Sequence, residues 1–192
     1  MKTKSLIFGA LLLIFCVSLN AQKHDYSGYP GYIEFGDLTQ FETGEEVTEV
    51  MIEAHLLRMV AKVTEKEDPE LSDVIRGIKL IKVHTFEVTD GNYDALRDKI
   101  TSINKSIAAA NWDRIVRTRS NKEMVNVFIK TTGEEKIEGL VVTQVEKDGE
   151  AVFVNIVGDI NLETISRLGG KFDIPGIDDL NGHDKTIIKH KD

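Results

Sequence analysis

Four strand-like runs follow one another between residues 112 and 157 with only short turns between them, and this limits the fold more than any other feature of the chain. The runs cover 112–119, 123–131, 136–146 and 151–157, and the connections read "SNK", "TGEE" and "KDG". Strands joined by so few residues must run antiparallel, because a parallel pair needs a crossover of a dozen or more residues. In the second run Val125, Val127 and Ile129 alternate with Asn126 and Phe128; in the third Ile137, Val141 and Val145 face one way. An antiparallel meander of this kind can bury one face under helices and leave the other wet.

Upstream, the pattern turns helical. In "EDPELSDVIRGIKL" Asp68 suits an N-cap, Pro69 the first helical position and Glu70 the positive end of the helix dipole. Leu71, Val74 and Ile75 are expected on the buried side, with Gly77 as the stop. A strand over 78–88 follows, and its alternation breaks between Leu80 and Ile81, which predicts a bulge or burial on both faces. The longest helix opens at Asp90-Gly91 with a narrow apolar stripe of Tyr93, Leu96, Ile100, Ile103, Ile107 and Ala110. Asp90, Asn92 and Asp94 imitate the start of a calcium loop. Ala95 and Thr101 then stand where that loop needs Gly and Glu, so helix capping explains the acids. Before these elements, a strand at 48–52 leads into a helix over 54–66, with Leu57, Val60 and Ala61 on its inner side. The order predicts an α+β domain over 46–172: one mostly antiparallel sheet with helices packed on one face.

The stretch "EAVFVNIVGDINLETISRLGG" joins a strand to a helix through Gly158-Asp159, a layout that many phosphate sites share. A phosphate loop would carry several glycines and a Lys followed by Ser or Thr, whereas here an acid follows a single glycine. Asn161 or Asp159 can cap the helix, and Leu162, Ile165 and Leu168 point one way. The corner is therefore read as structural.

Residues 1–21 lie outside the folded domain. Lys2 and Lys4 precede an apolar run from Leu6 to Phe15 and a small, polar end at Asn20-Ala21, which is the pattern of a cleaved export signal. The run is too short to span a membrane, which takes about 20 apolar residues. Cys16, the only cysteine, sits inside this run behind the bulky Phe15 and so does not read as a lipidation site. The mature chain, expected to start at Gln22, then has no thiol. Disulfides, Cys nucleophiles and Cys-ligated zinc are excluded. Without Lys2 and Lys4, 22 basic residues face 32 acidic ones, a net charge of -10. Such a surface repels phosphate backbones, so no nucleic acid is expected as a partner.

An extended arm over 22–45 precedes the domain, with Tyr26, Tyr29 and Tyr32 among Gly28, Pro30 and Gly31, and its stretch from Tyr32 to Phe35 suits a short edge strand. Tyr26 and Tyr29 are candidate binding residues, since a tyrosine offers apolar area plus a hydroxyl; they serve equally to tie the N-terminus to the sheet. The second candidate is "WDRIVRTRSNKE", where Arg117 and Arg119 share a strand face, Lys122 lies at the turn and Arg114 points the other way. This basic cluster suits a small anionic ligand or an envelope protein with an acidic patch. Cross-strand pairing with Glu123, Glu138 or Glu146 would account for it without any ligand. A polar tail over 173–192 closes the chain.

The five histidines are not at metal-ligand spacing, no Gly-x-Ser-x-Gly elbow occurs, and no cofactor motif is found. Neither a metal, a cofactor nor a catalytic residue is assigned. The segments "EAVFVNIVGDINLETISRLGGKF", "EDPELSDVIRGIKLIKVHTFEV" and "NWDRIVR" resemble an exported bacterial family known as a domain of unknown function, number four-two-five-two. The resemblance runs from about Tyr32 to Phe172 and implies a small envelope protein with a signal peptide and no established activity. The expectation is an exported, periplasmic or secreted, non-catalytic binding module. The alternative is a small secreted hydrolase that uses paired carboxylates.

Overall fold

The computed structural model describes residues 25–133 and 136–160. The expected leader at 1–21, the helix expected after Asp159 and the expected tail at 173–192 lie outside these residues. Six strands form one antiparallel sheet: β1 (Val47–Glu53), β2 (Ile78–Glu87), β3 (Asp113–Arg119), β4 (Glu123–Thr132), β5 (Lys136–Glu146) and β6 (Glu150–Ile160). Their spatial order is β1-β2-β6-β5-β4-β3, with every neighbouring pair antiparallel. Among the described residues three α-helices accompany the sheet in an α+β fold: α1 (Ala54–Thr64), α2 (Pro69–Gly77) and α3 (Tyr93–Ala109).

The helices divide between the two sheet faces instead of sharing one. Phe128, Val141, Val145 and Phe153 face α3, whose Tyr93, Leu96, Ile100, Ile103 and Ile107 are all buried against them. Val127, Leu140, Val142, Val154 and Ile156 alternate to the opposite face, where Leu57 of α1 and Ile75 of α2 join them. The reason lies in the strands. Runs such as "LVV" and "VFVNIV" are apolar at both parities, and a sheet of this composition must be covered on both sides.

Local signals behave as read for α2. Asp68 Oδ1 accepts from Leu71 N at 2.9 Å and caps the helix. Its inner face is more polar than expected: Leu71, Val74 and Ile75 are half-buried, and Ser72 is fully buried, its hydroxyl donating to Ala61 O at 2.8 Å. In α1, Leu57 and Ala61 are buried as expected, but Val60 is exposed with Leu56, Met59 and Val63. The α3 stripe is correct except for Ala110, which lies beyond the helix end. There Lys130 Nζ donates to Ala110 O at 2.8 Å and Asn111 O at 3.0 Å, satisfying carbonyls that the helix leaves unpaired.

The arm does not form the expected edge strand. It crosses the α3 face of the sheet, and Phe35, Leu38 and Phe41 enter the main core there. Asn155, fully buried on β6, holds it: Ile33 N donates to Oδ1 at 2.9 Å, while Nδ2 donates to Gly31 O at 2.9 Å and Leu140 O at 3.2 Å. The crossing requires Gly31, since a Cβ there would coincide with the Glu138 carbonyl of β5. The bulge foreseen in β2 exists, but it falls between Ile78 and Leu80. β6 runs straight through Gly158-Asp159 to Ile160, so the pair is a bulged stretch of strand and not a turn.

Candidate functional site: a basic cleft at the sheet edge

β3 is an outer strand, and α3 packs over the neighbouring β4 and β5. Between β3 and α3 lies a cleft of about 230 Å³ lined by Arg114, Arg117, Arg119, Met124 and Asn126 from the sheet and by Thr101, Asn104, Lys105 and Ala108 from the helix. One irregularity assembles the three arginines. The β3–β4 register shifts between Arg114 and Val116, so Arg114 pairs with Phe128, Arg117 with Asn126 and Arg119 with Met124. Phe128 and Met124 belong to the α3 face. All three arginines therefore face α3, which corrects the expected placement of Arg114 on the opposite side. A regular strand would have put it there; the extra residue of a bulge reverses the alternation.

Arg114 is oriented by two contacts. Its guanidinium lies over the Phe128 ring, 5.5 Å from the centroid, and its Nη1 donates to Asn126 Oδ1 at 3.3 Å. The cleft floor is polar within an otherwise apolar layer. Thr143 Oγ1 donates to Asn104 Oδ1 at 2.9 Å, tying β5 to α3, and both residues are buried. Asn126 is only 2% exposed, and its Nδ2 has no hydrogen-bond partner among the described residues.

The expected cross-strand pairs do not form. Glu138 accepts from Thr132 Oγ1 and pairs with Lys136, which hold its carboxyl below the usual range, the Thr132 bond contributing most. Glu123 stands opposite Glu146. Among the described residues the ion pairs use Arg76, Lys82, Lys136, Lys147, His55 and His84, and none uses Lys105, Arg114, Arg117 or Arg119. Lys105 was not foreseen, although a signal existed: it follows Thr101 by four residues on α3, off the apolar stripe.

The other candidates fall elsewhere. Lys122 occupies the β3–β4 turn outside the cleft, its carbonyl accepting from Lys147 N at 2.7 Å. Tyr26 packs on Leu80 and Val157 of β2 and β6, with the Tyr29 ring 5.8 Å away, so β5 and β4 separate the tyrosines from the arginines. Nearby, burial and a 2.6 Å hydrogen bond donated to Glu34 push the Tyr32 hydroxyl up to about 12. Tyr26 and the partly buried Tyr32 pack the arm onto the sheet, while Tyr29 is exposed.

Two acidic features bear on the hydrolase alternative. Glu45, Glu46, Glu87, Asp148 and Glu150 line a cleft of about 420 Å³ at the end of β1, β2 and β6. All five are exposed, so water solvates them, whereas an acid–base pair requires environments that separate its two carboxyls. His84 is buried between Glu42 Oε1, 3.2 Å from Nε2 but off the line of a hydrogen bond, and Glu49 Oε1, 3.6 Å from Nδ1. These partners come from the arm and β1. Among the described residues no group of three His, Asp or Glu is placed to hold a metal, and no helix is long and apolar enough to cross a membrane.

Fold and cleft together define an α+β module with helices on both faces of one antiparallel sheet and a basic pocket at its edge. The chain matches the family model described as "Domain of unknown function (DUF4252)" over residues 41–168, and it belongs to that family. No curated protein and no solved structure matches it.

Proposed function

We propose that the protein is an exported, non-catalytic envelope component that binds a small anionic ligand in the α3–β3 cleft. The observation that carries this reading is the convergence of four unpaired cations, Lys105, Arg114, Arg117 and Arg119, in a chain of net negative charge. Like charges gathered on one face repel one another, and among the described residues none of these four has an acid to offset it. An anion in the cleft removes that repulsion and supplies acceptors to every donor around it.

Binding is expected to appear as a thermal shift. Citrate or phosphate at constant ionic strength should raise the melting temperature of the wild type, and a ligand at a hundred times its Kd adds about 2.7 kcal/mol. Arg117→Gln/Arg119→Gln replaces two exposed side chains, so it should fold normally and lose the shift. An equal shift in both proteins would show that these arginines do not bind the anion.

Export rests on the Lys2/Lys4 start, the apolar run and the Asn20-Ala21 end. Protein recovered from an envelope fraction should begin at Gln22 on N-terminal sequencing. A retained Met1, or a lipidated Cys16 as first residue, contradicts it.

A further inference from the structure

We propose that the ligand of this cleft is a phosphoryl group on a small organic carrier, and not a carboxylate. The inference rests on the anion-binding reading and adds the chemistry of the anion. It starts from Asn126. The Oδ1 of this amide accepts from Arg114 Nη1, and a flipped amide would set one donor against another. That fixes which end is which, leaving Nδ2 as a buried donor without a partner in the floor of the cleft. Leaving such a donor unmet is unfavourable, because burial has stripped it of water and nothing replaces the lost hydrogen bond. Asn155, equally buried on the same sheet face, has its oxygen and its NH2 group engaged. Asn126 Nδ2 is thus a donor held in reserve.

The remaining donors approach from other directions. Arg117 and Arg119 reach in from the sheet edge and Lys105 from the helix wall, while among the described residues no acid lines the cleft. A ligand satisfying floor, edge and wall together must carry several acceptor oxygens spread in three dimensions and more than one negative charge. A phosphoryl group offers three such oxygens and about −1.5 to −2 charge at neutral pH. A carboxylate offers two oxygens in one plane and a single charge, which suits one bidentate arginine. Size limits the rest of the molecule. The cleft of about 230 Å³ falls below the roughly 300 Å³ at which drug-sized pockets begin.

Titration calorimetry of the full mature chain with sn-glycerol 3-phosphate and with glycerate, matched in size, tests this. The phosphate ester should bind at least about tenfold more tightly, a difference of about 1.4 kcal/mol. Asn126→Asp keeps the shape but sets an anionic oxygen where Nδ2 was, and it should abolish that preference. If it fails to fold by circular dichroism, Arg117→Gln, an exposed change, should still weaken the ester more than glycerate. Two arms separate the sources. Co-sedimentation with phosphatidic acid vesicles, but not phosphatidylcholine vesicles, assigns a lipid headgroup; binding of the free ester without vesicle binding assigns a soluble metabolite. Glycerate binding as tightly as the ester, or a citrate shift without ester binding, overturns the phosphoryl assignment and leaves the anion site standing. The absence of every anion effect removes both.

Discussion

Gly158→Val is expected to destabilise the protein by roughly 4 kcal/mol, combining about 1–3 kcal/mol of backbone strain with about 1–3 kcal/mol of overpacking. Gly158 has φ +140°, a region that side chains rarely tolerate. It pairs with Ile78, where Lys79 is the extra residue of the β2 bulge. A Cβ at Gly158 would meet the Gly77 carbonyl oxygen and stand 2.7 Å from Ile78 Cα and 2.8 Å from Lys79 N. These are backbone atoms and cannot swing aside as a side chain would. A loss of this size takes much of the 5–15 kcal/mol typical of a domain. Asp159→Asn is the control. The Asp159 side chain is exposed and, among the described residues, its only ion pair is a 3.9 Å contact with Lys136, so the change should cost about 0.5 kcal/mol or less. Urea melts of the two variants check the ranking. If instead Asp159→Asn melts like the wild type and fails to complement a deletion strain, Gly158-Asp159 is a reaction centre and its structural reading is wrong.

Phe153→Ala should cost about 3–5 kcal/mol, the range for a buried aromatic truncated in a core that collapses only partly. Phe153 is fully buried at the centre of the α3 face. Its ring centroid lies 5.3 Å from Phe35 of the arm and 6.0 Å from Phe86 of β2, so one side chain joins arm and sheet. Removing it should loosen the arm as well as open a cavity. Hydrogen exchange of Ile33 N, held by Asn155, should accelerate along with the fall in the urea midpoint. Phe153→Leu, which keeps most of the volume, should lose much less. Equal losses for the two variants would mean that the ring is not in contact with Phe35.

The sequence alone determined whatever depends on neighbours along the chain. The α2 start follows from Asp68 and Pro69, whose effects act within one helical turn. The α3 stripe follows from side chains spaced by the helical repeat. The meander β3–β4–β5–β6 follows from turns too short for any other connection. The basic cluster was legible as composition, since Arg114, Arg117 and Arg119 lie within one strand.

Tertiary structure alone decided what depends on partners distant in sequence. A bulge is set by how two strands register, so only β4 could turn Arg114 onto the face of Arg117 and Arg119. Lys105 joins them because α3 packs over β5 and β4, and Asn126 because it pairs with Arg117 across the β3–β4 ladder. The arm crosses the sheet because Asn155 engages Gly31 and Ile33 over more than 120 residues of sequence, a contact that no local pattern encodes. Strands apolar at both parities required two covered faces, but which helix took which face was settled by packing. A side chain's type is local information, whereas its direction and company are properties of the assembled sheet.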